Sequence, residues 1–295
     1  MASLEVDGFG TEVVGAGRGG EARAVEAMVT RKCLEEFYHC LKGGQWRNQK
    51  NWNTPYDIFG WEGTVWDKSV DPPQLIGLEL ANNNLEGKIP ASIGKLKSLE
   101  FLVLSQNSIM GGGNALCPYC ICEEMARLPK LGRIEMQHNE LAGPLPPNIG
   151  DCKQLTVLRL EHNFISGGLP RTIGRCVRLR FIALSFNRLT DPLPDMLAQC
   201  KNLEVLWLDH NNIRGTIGQR YKNLKALQLI NLSHNSLDEE ALAVFEPFMC
   251  SEIPALRFYS YPQEKKRKVK GDGRADDAAQ QYNNMLGASG VTRPS

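Results

Sequence analysis

No stretch of this chain approaches the ~18–20 consecutive apolar residues of a membrane-spanning helix, so no span is expected. Charge of one sign is lacking too: 34 Lys and Arg stand against 33 Asp and Glu over 295 residues, a net charge of +1. That near-balance supplies no global field to draw in nucleic acid or a membrane surface. The opening residues, MASLEVDGFGTEVVGAGRGG, lack a basic region followed by an apolar one, so no secretory signal is expected, and their acidic residues suit a transit peptide poorly. No phosphate-cradling G-x-x-x-x-G-K-[ST] loop, G-x-S-x-G elbow or H-E-x-x-H pair occurs, which leaves the commonest signature-bearing hydrolases without support. The nine cysteines are an odd number, which argues against a complete disulfide framework and for a reducing address.

What is present is a period. Leu75, Leu99, Leu131, Leu155, Leu179, Leu203 and Leu227 each open the phrase LxxLxLxxNxL, at 24-residue intervals except for 32 between Leu99 and Leu131. A fixed period of this length means a solenoid, whose repeats bury their apolar faces against their neighbours. Leu78 and Leu80 share one side of a strand, and Glu79 between them faces the other. Asn83, Asn107, Asn139, Asn163, Asn187, Asn211 and Asn235 fill one slot throughout. A carboxamide donates and accepts, so a stack of them can satisfy backbone groups that a sharp bend leaves unpaired. Cys152, Cys176 and Cys200 lie one period apart, in the slot that holds Leu96 and Leu128 elsewhere, and read as apolar packing.

After the asparagine come LEGKIPASIG (85–94), LAGPLPPNIG (141–150) and ISGGLPRTIG (165–174), which resemble the plant-type leucine-rich repeat LxGxIPxxIG. Asp191 replaces the glycine in one repeat, and the stretch from Ile213 to Gly218 lacks the proline. The resemblance implies an α/β solenoid, a right-handed superhelix of about seven to eight repeats. Short parallel strands would line its concave face, and 3₁₀ turns and loops its convex face. Upstream, Leu34, Phe37, Tyr38 and Leu41 recur at helical spacing and Gly43–Gly44 stop the helix. Trp46, Trp52, Trp61 and Trp66 follow, and FYHCLKGGQWRNQKNW…FGWEG resembles the N-terminal cap of microbial and plant-type repeat proteins. A carbohydrate-binding aromatic platform is the sharper reading of those tryptophans. At the other end a helix is expected over Leu237 to Phe248, and a closing strand from Leu256, Phe258, Tyr259 and Tyr261. The expected organisation is a Gly-rich leader (1–21), a cap (22–74), a repeat domain with an insertion around 110–130 and a C-terminal cap (75–262), and a basic then polar tail (263–295).

Four features invite chemistry. The insertion carries Cys117, Cys120 and Cys122; CPYC resembles the glutaredoxin motif, but no βαβ core flanks it. Three thiolates could bind zinc if His138 or Cys152 supplied a fourth ligand. Packing is the plainer reading, and no cofactor is expected. His138, His162, His210 and His234 form a column that Phe186 interrupts, and simple repetition accounts for it. Gly15, Gly17 and Gly20 spell GxGxxG without the βαβ context a dinucleotide needs. Lys265, Lys266, Arg267, Lys268 and Lys270 form a basic run suited to an acidic surface or to nuclear import.

The strand residues that point away from the core suggest the partner surface. Phe101, Val157, Phe181, Val205 and Trp207 read as an exposed apolar patch, rimmed by Arg133, Glu135, Arg159 and Asp209. If exposed, Phe181 and Trp207 could be truncated without loss of stability. The resulting expectation is a non-enzymatic, cytoplasmic protein-binding scaffold or subunit of a large complex, ciliary or cytoskeletal, with a nuclear address as the other option. The alternatives are a zinc or thiol-redox protein built on the insertion, and a receptor-like ligand-recognition module.

Overall fold

The computed structural model describes residues 18–55, 57–111, 118–253 and 256–259. The basic run Lys265, Lys266, Arg267, Lys268 and Lys270 lies outside them, as do Cys117, Gly15, Gly17 and Tyr261. The repeats form the expected α/β solenoid. Strands at Gln74–Glu79, Phe101–Val103, Arg133–Glu135, Val157–Arg159, Phe181–Ala183, Val205–Trp207 and Leu229–Asn231 pair in parallel, one per repeat. Arg257–Tyr259 adds the closing strand in parallel. At the other edge Thr64–Asp67 pairs antiparallel with Gln74–Glu79, completing a nine-stranded sheet. Leu78, Leu102, Leu158, Leu206 and their equivalents are fully buried behind it.

The asparagines tie the turns together. Asn163 donates from Nδ2 to Met136 O at 3.0 Å and Leu160 O at 3.1 Å, and its Oδ1 accepts from Leu141 N at 3.0 Å. Asn107, Asn139, Asn187, Asn211 and Asn235 repeat this pattern. Asn83 has no preceding repeat, and the N-terminal cap takes its place. Its Oδ1 accepts from Asn48 N at 2.6 Å, and its Nδ2 donates to Asn48 O at 2.9 Å.

A second, five-stranded parallel sheet runs through Glu86–Gly87, Ser108–Gly111, Glu140–Gly143, Phe164–Gly167 and Arg188–Leu189, where only turns and loops were expected. Gly143 and Gly167 end their strands at φ 88° and 70°, a conformation that glycine adopts without steric cost. Asp191 stands in the equivalent slot, and there the strand stops at Leu189. The later pair, Arg214–Gly215 with Ser236–Leu237, forms a separate two-stranded sheet. The departure from the repeat pattern at Asp191 is therefore where the second sheet breaks.

The caps close the ends of the stack. Helix α1 (Arg18–Cys40) begins inside the stretch expected to be leader and buries Leu34, Phe37 and Leu41. Trp46, Trp52 and Trp61 are only 3%, 3% and 2% exposed, so they form cap core and no open carbohydrate platform. Trp46 and Trp52 meet edge to face at 4.9 Å, and Trp46 Nε1 donates to Leu41 O at 2.8 Å. Helix α2 (Glu239–Glu252) starts at Asp238, whose carboxylate accepts from Glu240 N at 3.0 Å and Ala241 N at 3.1 Å.

The insertion leaves both sheets in register: Phe101 pairs with Arg133, and Met110 with Glu140, across it. Cys120 returns the chain to the stack, its N–H donating to Pro144 O at 2.9 Å. The asparagine stack should carry stability directly. Asn163→Ala strands Leu141 N, while Met136 O and Leu160 O keep Asn139 Nδ2 and Asn187 Nδ2 as donors, and should cost about 1–3 kcal/mol in denaturant unfolding; a loss under about 0.5 kcal/mol would demote the ladder to decoration.

Candidate functional site

The concave sheet brings the proposed partner-binding residues into one band, but not as an exposed apolar patch. Phe181, Val205 and Trp207 are 2%, 6% and 8% exposed. Their side chains pack sideways on neighbouring strands, because parallel partners stand only ~4.8 Å apart. Phe181 faces Val157 on one side and Val205 on the other, and meets the Trp207 ring edge-on at 5.4 Å and 73°. Glu135 and Asp209, expected at a solvated rim, are also buried. Phe101, Arg133, Val157 and Arg159 keep partial exposure. The Phe101 ring lies over Gly77, where an added Cβ would fall 2.0 Å from it, so the glycine makes room for the aromatic.

Charges continue the band. Arg133 Nε donates to Glu135 Oε1 at 2.5 Å, Arg159 sits 3.9 Å from Glu135 Oε2, and Arg159 Nε and Nη2 both donate to Glu161 Oε1 at 3.1 Å. The Arg159 guanidinium also lies 5.8 Å from the Phe181 ring centre. Asp209 accepts from Ser185 Oγ at 2.5 Å and lies 2.9 Å from His210 Nδ1. From Arg133 to Trp207, consecutive repeats thus supply one row that is ionic at one end and aromatic at the other.

Phe186 does not interrupt the histidine column; it continues it. The rings of His138, His162, Phe186, His210 and His234 stack at 4.3, 4.3, 4.1 and 4.1 Å between centroids. All five residues have φ between 51° and 56°, the left-handed turn just ahead of the ladder asparagine. The sequence carried a signal for this turn in Asn82, His138 and His162, since Asn and His enter that region several-fold more readily than most residues. Partial burial and the nearby Arg159 charge hold the His138 imidazole below its usual 6.5.

The cysteines offer packing chemistry. Cys152, Cys176 and Cys200 are fully buried, and their thiols point at Met125 O (3.7 Å), Ile149 O (3.4 Å) and Ile173 O (3.3 Å). Burial pushes them up to about 12, 11 and 12, away from the reactive thiolate. Cys120 and Cys122 belong to the core cluster, with Cys122 Sγ 3.1 Å from Glu124 Oε2. The fourth-ligand candidates are engaged elsewhere: His138 stacks on His162, and Cys152 faces Met125. Among the described residues no His, Cys, Asp and Glu side chains are grouped to hold a metal ion.

A parallel sheet built one strand per turn, with a bridging asparagine in each turn, is the leucine-rich repeat solenoid, a protein-binding module, and its units are of the plant type. The Leucine Rich Repeat family model matches residues 74–96, 154–176 and 202–224. Receptor-like protein 31 of Arabidopsis thaliana is 33% identical over 94 residues, which cover 32% of this chain and 10% of that protein. The chain spans about a tenth of the length of such curated relatives. Among solved structures, the plant peptide hormone receptor RGFR1 in complex with RGF2 is similar at 32% identity and TM-score 0.52, covering 55% of this chain and 25% of that one. The PEPR1–AtPEP1 structure is similar at 25% identity and TM-score 0.61, covering 81% and 31%.

The burial of Phe181 and Trp207 reverses the expected effect of truncation. Trp207→Ala and Phe181→Ala should each cost about 2–4 kcal/mol in chemical denaturation; unchanged midpoints would return both residues to the exposed surface. For His138, the unfolded ring takes up its proton before the folded one. The stability tied to its neutral form is therefore complete above about 6.5 and declines as pH falls through the lower folded value. Imidazole NMR should place the His138 midpoint below 6.5, and a midpoint above it would contradict the packing.

Proposed function

We propose that this chain is the ligand-recognition part of a receptor-like protein, and that a partner polypeptide lies along the concave sheet from Phe101 and Arg133, past Val157 and Arg159, toward Trp207. The observation that carries the reading is the contiguous row from Arg133 to Trp207. Consecutive repeats supply it from side chains that no backbone hydrogen bond of the solenoid requires. The ionic end offers charge and the aromatic end offers rigid apolar area, the composition that concentrates binding energy at interfaces. The relatives are receptor-like proteins, and RGFR1 is a peptide hormone receptor; both favour this reading over a cytoplasmic, ciliary or cytoskeletal subunit.

Buried Phe181, Val205, Glu135 and Asp209 act in this proposal as the floor that holds the more exposed Phe101, Arg133, Val157 and Arg159 in place. A rigid floor lowers the entropy lost on binding. The basic run from Lys265 to Lys270 would add a second, salt-sensitive contact to an acidic partner surface.

The test is a random-peptide library displayed on phage and selected against the purified full chain. Selected peptides should bind the Arg133→Glu variant about tenfold or more weakly; its melting temperature should fall, because the new carboxylate meets buried Glu135, but circular dichroism at the binding temperature should still show the folded solenoid. Peptides that bind both proteins equally would place recognition off the concave sheet.

A further inference from the structure

Six of the concave strands are entered through a two-residue turn that follows a 3₁₀ helix and precedes a buried leucine. The turns are Lys97–Ser98, Pro129–Lys130, Lys153–Gln154, Val177–Arg178, Lys201–Asn202 and Lys225–Ala226. Each carries one cation, and the twelve residues include no acid. In a chain of net charge +1 this is a local segregation of charge. All six cations are exposed. Backbone bonds just beyond the leucines keep the turns in register: Gly132 N donates to Glu100 O at 2.7 Å, Thr156 N to Gly132 O at 2.7 Å, Arg180 N to Thr156 O at 2.9 Å and Glu204 N to Arg180 O at 2.8 Å. Paired strands stand ~4.8 Å apart, so the six turns set their cations in a row roughly 24 Å long.

The solenoid uses only part of this charge. Lys153 Nζ donates to Gly150 O at 2.6 Å, Arg178 Nη1 to Gln154 Oε1, and Lys225 Nζ to Glu252 Oε2 at 3.0 Å. The side chains of Lys97, Lys130 and Lys201 make no hydrogen bond or ion pair among the described residues. Asp67 lies within reach of the Lys130 charge but forms no ion pair with it. Like charges on neighbouring rungs repel, and an anionic partner relieves that repulsion.

The shape of the row selects the partner. Acids flank it: Asp151 beside Arg175 on one side, Glu100 and Glu204 on the other. A flat anionic membrane would press on those acids as well, whereas a single chain laid along the row avoids them. Duplex nucleic acid winds its phosphates away from a straight line. A single strand is gripped by stacked aromatics as well as by charge, and the twelve turn residues include no aromatic. An extended polypeptide advances roughly 3.3 Å per residue, so about seven residues span the row. Lysine is a flexible point charge and tolerates the mismatch between the two spacings.

We propose that the row from Lys97 to Lys225 is a docking rail for an extended, Glu- or Asp-rich segment of a partner polypeptide. It lies on the turns that lead into the concave sheet, and it does not depend on recognition at the concave row itself.

The test uses the full chain and a fluorescein-labelled peptide of about ten glutamates, long enough to span the row. Anisotropy at low salt should show binding that weakens as salt is added. Lys97→Glu, Lys130→Glu and Lys201→Glu together should weaken it about tenfold or more. Lys32→Glu, Lys50→Glu and Arg214→Glu together change the net charge equally at exposed positions off the row, and should shift affinity less than about twofold. If the row variant fails to fold by circular dichroism, Lys97→Gln, Lys130→Gln and Lys201→Gln together take its place, with an expected loss of about threefold or more. Equal losses in the row and off-row variants would reduce the effect to net charge and overturn the rail. Binding unchanged by the row variant would assign the peptide to another basic segment, such as the run from Lys265 to Lys270, and overturn it too, as would no binding at low salt. Row-dependent binding that favours an oligothymidylate of equal charge, or phosphatidylserine vesicles, over the glutamate peptide would overturn the polypeptide assignment.

Discussion

The carboxamide of the repeat asparagine is the constraint on which the structure depends. Each turn of the solenoid bends sharply after its concave strand and leaves backbone N–H and C=O groups facing inward, where water cannot serve them. One side chain per turn answers this by donating to carbonyls of two successive repeats and accepting from an amide of the preceding one, as Asn163 does with Leu160, Met136 and Leu141. Each repeat is therefore completed by its neighbour. The same logic shapes the N-terminal cap, where the backbone of Asn48 stands in for a missing repeat at Asn83. The tryptophan cluster covers the apolar end of the stack and holds that substitute backbone in place.

Exact repetition then multiplies local preferences into long features. The left-handed residue before each asparagine places its ring directly above the next, so four histidines and Phe186 become one continuous stack. The thiols of Cys152, Cys176 and Cys200 line up by the same rule, each against a carbonyl one repeat back. Neither column needs a catalytic or metal-binding purpose to exist. Asp191 shows the converse: one departure at the glycine slot, and the second sheet ends there.

Chemistry that distinguishes this solenoid from others sits where the repeat leaves residue identity free. The concave columns hold different side chains in each turn, and their contacts are lateral, between neighbouring strands. The ionic segment from Arg133 to Glu161 and the aromatic segment from Phe181 to Trp207 arise because these particular residues were placed on adjacent rungs. Desolvation does the rest. It packs Phe181 and Trp207 into a floor.

The amino-acid order alone determined the solenoid, the inward leucines, the bridging asparagines, the packed cysteines and the capping tryptophans. Each of these follows from a one-dimensional stack in which contacts recur at fixed sequence separation. It also marked Asp191 as irregular and Glu135, Arg159 and Trp207 as concave. What only the tertiary structure decided was how far those concave residues are exposed. Alternation along a strand says which side a residue faces, not how much its neighbours across the sheet cover it. That cover depends on the sizes of side chains 24 residues away on both flanks: Phe101 spreads over the space Gly77 leaves, while Phe181 is closed in by Val157, Val205 and Trp207.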